Sequence, residues 1–496
     1  MTQTKSCFAL VVGSGFSGSL LAWILQKHGL DSILVDQAKH PRFAIGESST
    51  PTADFLVRHL ASRWGLKELT PLATYGTWQQ HYPELACGKK RGFAYYHHDQ
   101  NEVFQDNEQH DHSLLVAASS SDHKSDTHWL RSEVDQWFYQ QALDAGTLGL
   151  EQTTIQSAYF DPVSQVWDAT LSSVSGELHT VRFRWLIDAT GGSPKMRQWT
   201  GTCSDSDWMR TRTSVLFGHF RDVAPFAKTT PSYYDDISNL FCGDDSAQHH
   251  IVENGWMWAL RFGNGDTSLG IVQPAVNESM EMATKDRLTV WQSWLKRYPS
   301  IESMVQPSTF VGPEGGLGWM ARLSRCNDQA AGPGWVSLPT AFGFVDPLHS
   351  SGIAHALSGV ARLSEVFLGR PSNITECIHE YARNVRSELE WIDTFVGLCY
   401  RGLPSFETFL GMCGYYFVSA IGFEKDVSRD PTHWPRGYML TGESKLRNEA
   451  ESMWNGLTSK QPITLEHVRR SIEPWNDVGL FSEQLRNRLA HTAADK

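Results

Sequence analysis

The sequence predicts an α/β fold: a Rossmann-like nucleotide-binding lobe, a mixed β-sheet lobe and a helical C-terminal region. Three observations carry the prediction. Residues 8–12, Phe-Ala-Leu-Val-Val, form a short apolar run that stops at a glycine, as a buried parallel strand does. Strand-like alternation recurs at 150–186 and dominates 211–274. From residue 371 onward the periodicity is helical.

The first strand runs into Gly13-x-Gly15-x-x-Gly18 and a helical stretch at 18–28, followed by a second strand at 32–35 that ends in Asp36. In this order Gly13 permits a tight turn, Gly15 lets the backbone approach a pyrophosphate, and Gly18 lets helix and strand pack closely. The helix N-terminus offers positive charge to the anion, and Asp36 stands where a carboxylate accepts from a ribose hydroxyl. A bound dinucleotide is expected.

The 496 residues, 41% of them hydrophobic, suffice for a large core and more than one lobe, and a charged fraction of 20% excludes a disordered chain. A formal charge of -12 without a long Lys/Arg run argues against a nucleic-acid partner and for a small free substrate. The eight cysteines are scattered, without Cys-x-x-Cys spacing, and read as thiols of a reducing compartment. The chain passes almost at once into its first strand, so a cytoplasmic location is expected. The apolar stretch 406–423 contains Glu407 and reads as a buried helix, not a membrane span.

Beyond Asp36, Thr50-Pro51 signals a helix start. Arg42 and Glu47 flank a place where a phosphate or a ring edge fits, or else pair with each other at the surface. The run Gly88-Lys89-Lys90-Arg91-Gly92 precedes a strand at 93–96. It is either a solvated basic turn or the means of delivering a lysine into a pocket where desolvation lowers its pKa. Residues 107–125, polar and aperiodic, are expected as a loop or flap. A helix follows from about residue 129 to Gly146, and the strand ending in Asp188-Ala189-Thr190-Gly191 passes the pyrophosphate site. Alternation puts Trp256, Trp258 and Leu260 on one strand face, as core or as the wall of a cavity for a planar aromatic. Residues 335–355 read as a strand, a small-residue turn and a helix starting near Ser351. The first N–H groups of that helix suit a flavin edge or a small anion such as halide.

Together these stretches resemble the flavin-dependent halogenases, a branch of the single-component FAD monooxygenase fold, from residue 8 to about residue 368. The resemblance implies an FAD-binding lobe of the monooxygenase type at 1–200 and 325–370, a β-sheet substrate lobe at 201–324 and a helical region at 371–496. It implies FAD contacts from Gly13, Gly15, Phe16, Ser17, Gly18, Asp36, Arg42, Gly46, Glu47, Ser48, Arg131, Asp188, Gly191, Asp346 and Ile353. Ser351 and Gly352 are similar to the family's halide-binding turn, Lys90 to its active-site lysine, and Trp256-x-Trp258 to the first half of its tryptophan motif. Phe93 and His349 are further candidates for the substrate pocket.

The implied enzyme uses reduced FAD, supplied by a separate flavin reductase, with dioxygen and halide to make hypohalous acid. Lys90 then holds the acid by a hydrogen bond or as a chloramine, and an electron-rich arene, phenol-like or indole-like, free or carrier-tethered, takes the halogen. No second strand-loop-helix with glycine spacing for NAD(P)H is found, no metal is expected, and the oligomeric state is left open, a homodimer included. The competing reading is an FAD hydroxylase or reductase of the same fold that works without halide. Three departures from the family's pattern stand out. Leu260-Arg261 replaces the Ile-Pro that ends the tryptophan motif, and Pro339-Thr340-Ala341 replaces a Gly-Asp-Ala, removing a carboxylate expected on the ribityl chain. His349 stands where tryptophan halogenases carry a glutamate, and is either a base for a phenol or structural.

Overall fold

The computed structural model describes residues 4–230, 240–275, 286–485, 487–490 and 492–494. The parts of the expected β-sheet lobe at 231–239 and 276–285 lie outside the described residues. Strand β1 (Lys5–Val12) turns through the glycines into α1 (Phe16–Lys27) and returns as β2 (Ser32–Val35), parallel to β1. Every residue of β2 is buried, as a strand covered on both faces requires. Helix α2 (Pro51–Trp64) starts where Thr50-Pro51 predicts. The Thr50 hydroxyl accepts the Ala53 N–H, Pro51 takes the first helical position, and Gly65 ends the helix in the left-handed region at φ 64°.

Strands β3 (Cys87–Lys90) and β4 (Gly92–His97) are separated by Arg91 alone yet join different sheets. β4 pairs antiparallel with β5 (Ser113–Ala117), and β3 with β6 (Asp126–Trp129). The change of sheet at Arg91 puts Lys90 in the interior, not in a solvated turn. The expectation of a loop throughout 107–125 is corrected by β5, whose Ser-Leu-Leu-Val-Ala run is fully buried once it pairs with β4. Helix α3 (Arg131–Asp144) and strands β7 (Leu148–Leu150), β8 (Thr153–Asp161), β9 (Val166–Ser173) and β10 (Leu178–Asp188) complete the first lobe, with β10 parallel to β1 on the side away from β2.

The second sheet contains β11 (Thr213–Arg221), β12 (Ala247–Val252), β13 (Gly255–Arg261) and β14 (Asp266–Pro274), in the antiparallel order β11-β14-β13-β12. β12 then runs parallel to β4, so this sheet is assembled from two distant parts of the chain. β15 (Trp335–Ser337) returns to the first sheet beside β10 and leads to α4 (Gly352–Gly369). The long helices α5 (Ile374–Gly402) and α6 (Phe406–Arg429) pack on each other over the lobes. No helix among the described residues is long and apolar enough to cross a membrane. Beyond them, β16 (Arg488–Leu489) departs from the helical pattern and pairs with the free edge of β5. The largest hydrophobic core joins α1, the tryptophan face of β13 and the inner faces of α5 and α6, and two smaller clusters cover other faces of the two sheets.

Candidate functional site

Two cavities meet at Arg42, Ala189 and Thr190. One, of about 470 Å³, lies beside Gly13, Asp36 and Lys195. The other, of about 350 Å³, runs from Gly15, Phe16 and Ser17 past Arg131 to Ser350, Gly352, Trp256 and Trp258. A bent cleft of two chambers suits an extended dinucleotide better than a compact ligand.

The nucleotide end is built by close backbone approach. Gly13 has φ 108°, and a Cβ there would run into the Ala189 carbonyl, while a Cβ on Gly18 would run into the carbonyl of Gly13. Asp36 at the end of β2 accepts the Ser14 N–H at 2.8 Å and the Ser14 hydroxyl at 2.9 Å, which fixes its carboxylate toward the first cavity. The space over Gly15 is bounded by two guanidiniums, since a Cβ on Gly15 would lie 3.4 Å from Arg42 Nη2 and 3.6 Å from Arg131 Nη2. Asp135, which carries no motif, organises both. It accepts Arg131 Nε at 2.8 Å and Nη2 at 2.9 Å, lies 3.6 Å from Arg42, and takes the Phe16 N–H at 3.1 Å. Arg42 and Glu47 do not pair with each other: Arg42 faces Asp36 and Asp135, and Glu47 meets His219 at 2.6 Å. Arg42 Nε and Ser48 Oγ are buried on the cavity walls without a partner among the described residues. Such orphaned groups, two cations and a glycine cradle fit the pyrophosphate and ribityl portions of FAD.

At the far end, two expected cofactor residues act through turns. Asp188 accepts the Thr190 N–H and hydroxyl at 3.0 and 2.8 Å, ordering the turn to Gly191, and burial raises its pKa. Asp346 accepts the Thr213 hydroxyl at 2.6 Å, the Tyr400 hydroxyl at 3.0 Å and the Leu348 N–H at 3.0 Å, and burial pushes its pKa up to about 6. Neither carboxylate lines the cleft, and neither does Gly18. Arg325, which the sequence did not single out, does line it. Its Nη2 donates to the carbonyls of Gly191 at 2.5 Å and Thr340 at 3.3 Å, at the place where a family carboxylate is missing, and burial lowers its pKa to about 10.

Ser350 adopts φ 53°, Ser351 caps α4, and no side chain caps the helix's first turn and no acid lies in it. The N–H groups therefore stay available to an anion. Ser350, Gly352 and Ile353 line the cleft. Trp256, Trp258 and Leu260 form the opposite wall, as alternation predicts. Arg261 turns away, donating to Asp244 at 2.9 Å and to the carbonyls of Val223 and Ala224, so the departure from Ile-Pro leaves an apolar residue on the cavity face.

Lys90 is fully buried and stands behind the cleft wall, not on it. Its Nζ donates to the Ser49 carbonyl at 2.5 Å and lies 4.2 Å from the centre of the Phe93 ring. Phe93 is thus the bed of the lysine and not part of the wall. His249 on β12 fills the space between: it lines the cleft and stacks on Tyr95 at 4.6 Å and Trp256 at 5.0 Å. Burial and the nearby Lys90 charge push its pKa down to about 3, so its imidazole is neutral. His349 is also behind the wall, stacked on Tyr416 at 4.3 Å. His249, Arg325 and Asp135 escaped sequence reasoning because no local spacing marks them.

Fold and cleft define a two-lobed dinucleotide-binding protein with an anion-ready helix start beside a tryptophan wall. Residues 128–408 match the family model described as tryptophan halogenase, and residues 11–64 match an NAD(P)-binding Rossmann-like domain. The chain belongs to the tryptophan halogenase family, the flavin-dependent halogenases, oxidoreductases that use FAD with halide as co-substrate. It is 26% identical over 366 residues to tetracycline 7-halogenase of Kitasatospora aureofaciens, covering 72% of this chain and 62% of that one. It is 25% identical over 419 residues to monodechloroaminopyrrolnitrin halogenase PrnC of Pseudomonas fluorescens, covering 80% and 68%. The crystal structure of halogenase PltM in complex with phloroglucinol and FAD has the same fold, with a TM-score of 0.82 at 22% identity over 98% of this chain and 99% of that one.

Proposed function

We propose that this chain is a flavin-dependent halogenase that binds FAD along the two-chambered cleft, holds halide at the start of α4 and passes hypohalous acid to Lys90 for electrophilic halogenation of an electron-rich, phenol-like or indole-like aromatic. One observation carries the reading: the tryptophan wall of the cleft ends at His249, and the layer directly behind that ring holds a fully buried lysine. The phloroglucinol bound to PltM supports a phenol-like substrate.

The roles divide along the cleft. Arg42, Arg131 and the α1 N-terminus bind the pyrophosphate, and Asp36 accepts from the ribose. Bound reduced FAD supplies the two electrons that dioxygen needs to convert halide into hypohalous acid. The N–H groups of Ser351 and Gly352 hold the halide without a cationic side chain. Trp256, Trp258 and Leu260 exclude water, which protects a strong oxidant from side reactions. Neutral His249 separates the cleft from Lys90, whose Nζ holds the oxidised halogen by a hydrogen bond or as an N-haloamine until the arene takes it. The reductant comes from a separate flavin reductase, the FAD lobe comprises 1–200 and 325–370, the substrate lobe 201–324 and the helical region 371–496. Eight cysteines outside any disulfide accord with a cytoplasmic setting.

The test is incubation with FAD, a flavin reductase, NADH, bromide and a panel of phenols and indoles, followed by mass spectrometry for products with the bromine isotope pair. Brominated product from the parent, and none from a Lys90→Ala variant that still binds FAD, is the expected result. An undiminished yield from that variant removes Lys90 from the mechanism.

A further inference from the structure

Three side chains from separate segments meet in the closed interior behind the cleft. His349 belongs to the turn before α4, Cys399 to α5 and Cys413 to α6, and all three are 0% exposed. Their ligating atoms lie within 4.8 Å of one another. The two Sγ atoms are 3.8 Å apart, and Cys399 Sγ is 3.4 Å from His349 Nε2.

We propose that His349, Cys399 and Cys413 bind a thiophilic d10 cation, Zn2+, which pins the α5/α6 pair to the turn before α4. The edges of the cluster decide the point. Bond lengths of about 2.3 Å for Zn–S and about 2.0 Å for Zn–N give tetrahedral edges of about 3.8 Å between sulfurs and about 3.6 Å between sulfur and nitrogen. Two of the three edges, 3.8 and 3.4 Å, already fall there before any ion is placed, and the third lies within 4.8 Å. The imidazole is also held in one orientation, its ring stacked on Tyr416 at 4.3 Å with the planes 3° apart.

A second observation points into the same space. The Tyr95 hydroxyl is buried without a hydrogen-bond partner among the described residues, and Tyr95 lies within electrostatic reach of both thiols. A water molecule on the ion, donating to the Tyr95 oxygen, would be the fourth ligand. Binding balances in charge, because Zn2+ displaces the two thiol protons to solvent and two thiolates neutralise the dication. A neutral centre is what an apolar interior tolerates. The ligand positions 349, 399 and 413 carry no metal-binding spacing, so the cluster is invisible before the chain folds.

The proposal is independent of the halogenase reading, and its test does not use turnover. The full-length protein is dialysed against EDTA and its metal measured by plasma mass spectrometry, with about one zinc per chain expected. Protein produced with cobalt in the medium is expected to show the sulfur-to-cobalt charge-transfer band of a thiolate site. Cys399→Ser and Cys413→Ser are each expected to lose the metal and to lower the melting midpoint. Fewer than about a tenth of an equivalent of metal in the parent protein overturns the proposal whether or not the variants fold. A Cys399–Cys413 disulfide in the peptide map, or retention of zinc by both serine variants, overturns it as well.

Discussion

The indole N–H of Trp256 donates to the Tyr400 hydroxyl at 2.7 Å, and that hydroxyl donates in turn to Asp346 at 3.0 Å. The tryptophan wall, helix α5 and the turn before α4 are therefore one hydrogen-bonded unit. Tyr400→Phe keeps the ring but leaves the buried Trp256 N–H without an acceptor and Asp346 one donor short. Loss of about 1–3 kcal/mol is expected, read as a lower urea midpoint, because an orphaned buried donor costs more than a bond between two removed partners.

Asp346 gives that unit a pH signature. Burial raises its folded pKa from 3.8 to about 6, so its contribution to stability is full below 3.8 and is lost as pH rises through about 6. Asp346→Asn, neutral at every pH, does not follow that loss. The melting midpoint of the variant relative to the parent is expected to rise between about pH 4 and about pH 7; a constant difference would show that Asp346 titrates normally.

Acid works in the other direction through the imidazoles. Burial lowers His98, His128 and His249 from 6.5 to about 3, so the stability tied to them is present above 6.5 and drains as pH falls toward about 3. Urea unfolding between pH 7 and pH 5 is expected to show the steep decline, and a flat profile would mean that the rings are already solvated.

Asp135 touches no expected ligand yet holds the groups that do. Asp135→Asn keeps the size and removes the charge that fixes Arg131 and Arg42, so FAD affinity is expected to fall by about tenfold or more, since a displaced Arg clamp loses its charge-assisted bonds. Quenching of flavin fluorescence on titration measures it.

The parts of this site that were legible in sequence are those whose constraints are local. Gly13 and Gly18 are read from spacing because a turn and a helix contact five residues apart leave no room for a Cβ. Trp256 and Trp258 are read from the period of a strand. His249 is different: it reaches the cleft because β12 lies between β4 and β13, with its ring on Tyr95 from one and Trp256 from the other, and no window of sequence contains that arrangement. Arg325 likewise acquires its role from the carbonyls of Gly191 and Thr340. The strand at Ser113–Ala117 was hidden by the polar residues around it, since strand propensity in a short run is decided by the partner it finds.

The pairing of Arg488 with Leu115 gives the molecule a timetable. The β5 edge emerges from the ribosome early, and the residues that cover it, Arg488, Leu489 and Thr492, are made only after the long helices α5 and α6. Until then one edge of β5, a strand of buried character, is left uncovered, the kind of edge that recruits other chains. Arrival of these late residues, rather than completion of the flavin lobe, is what makes the β5 edge safe from its neighbours.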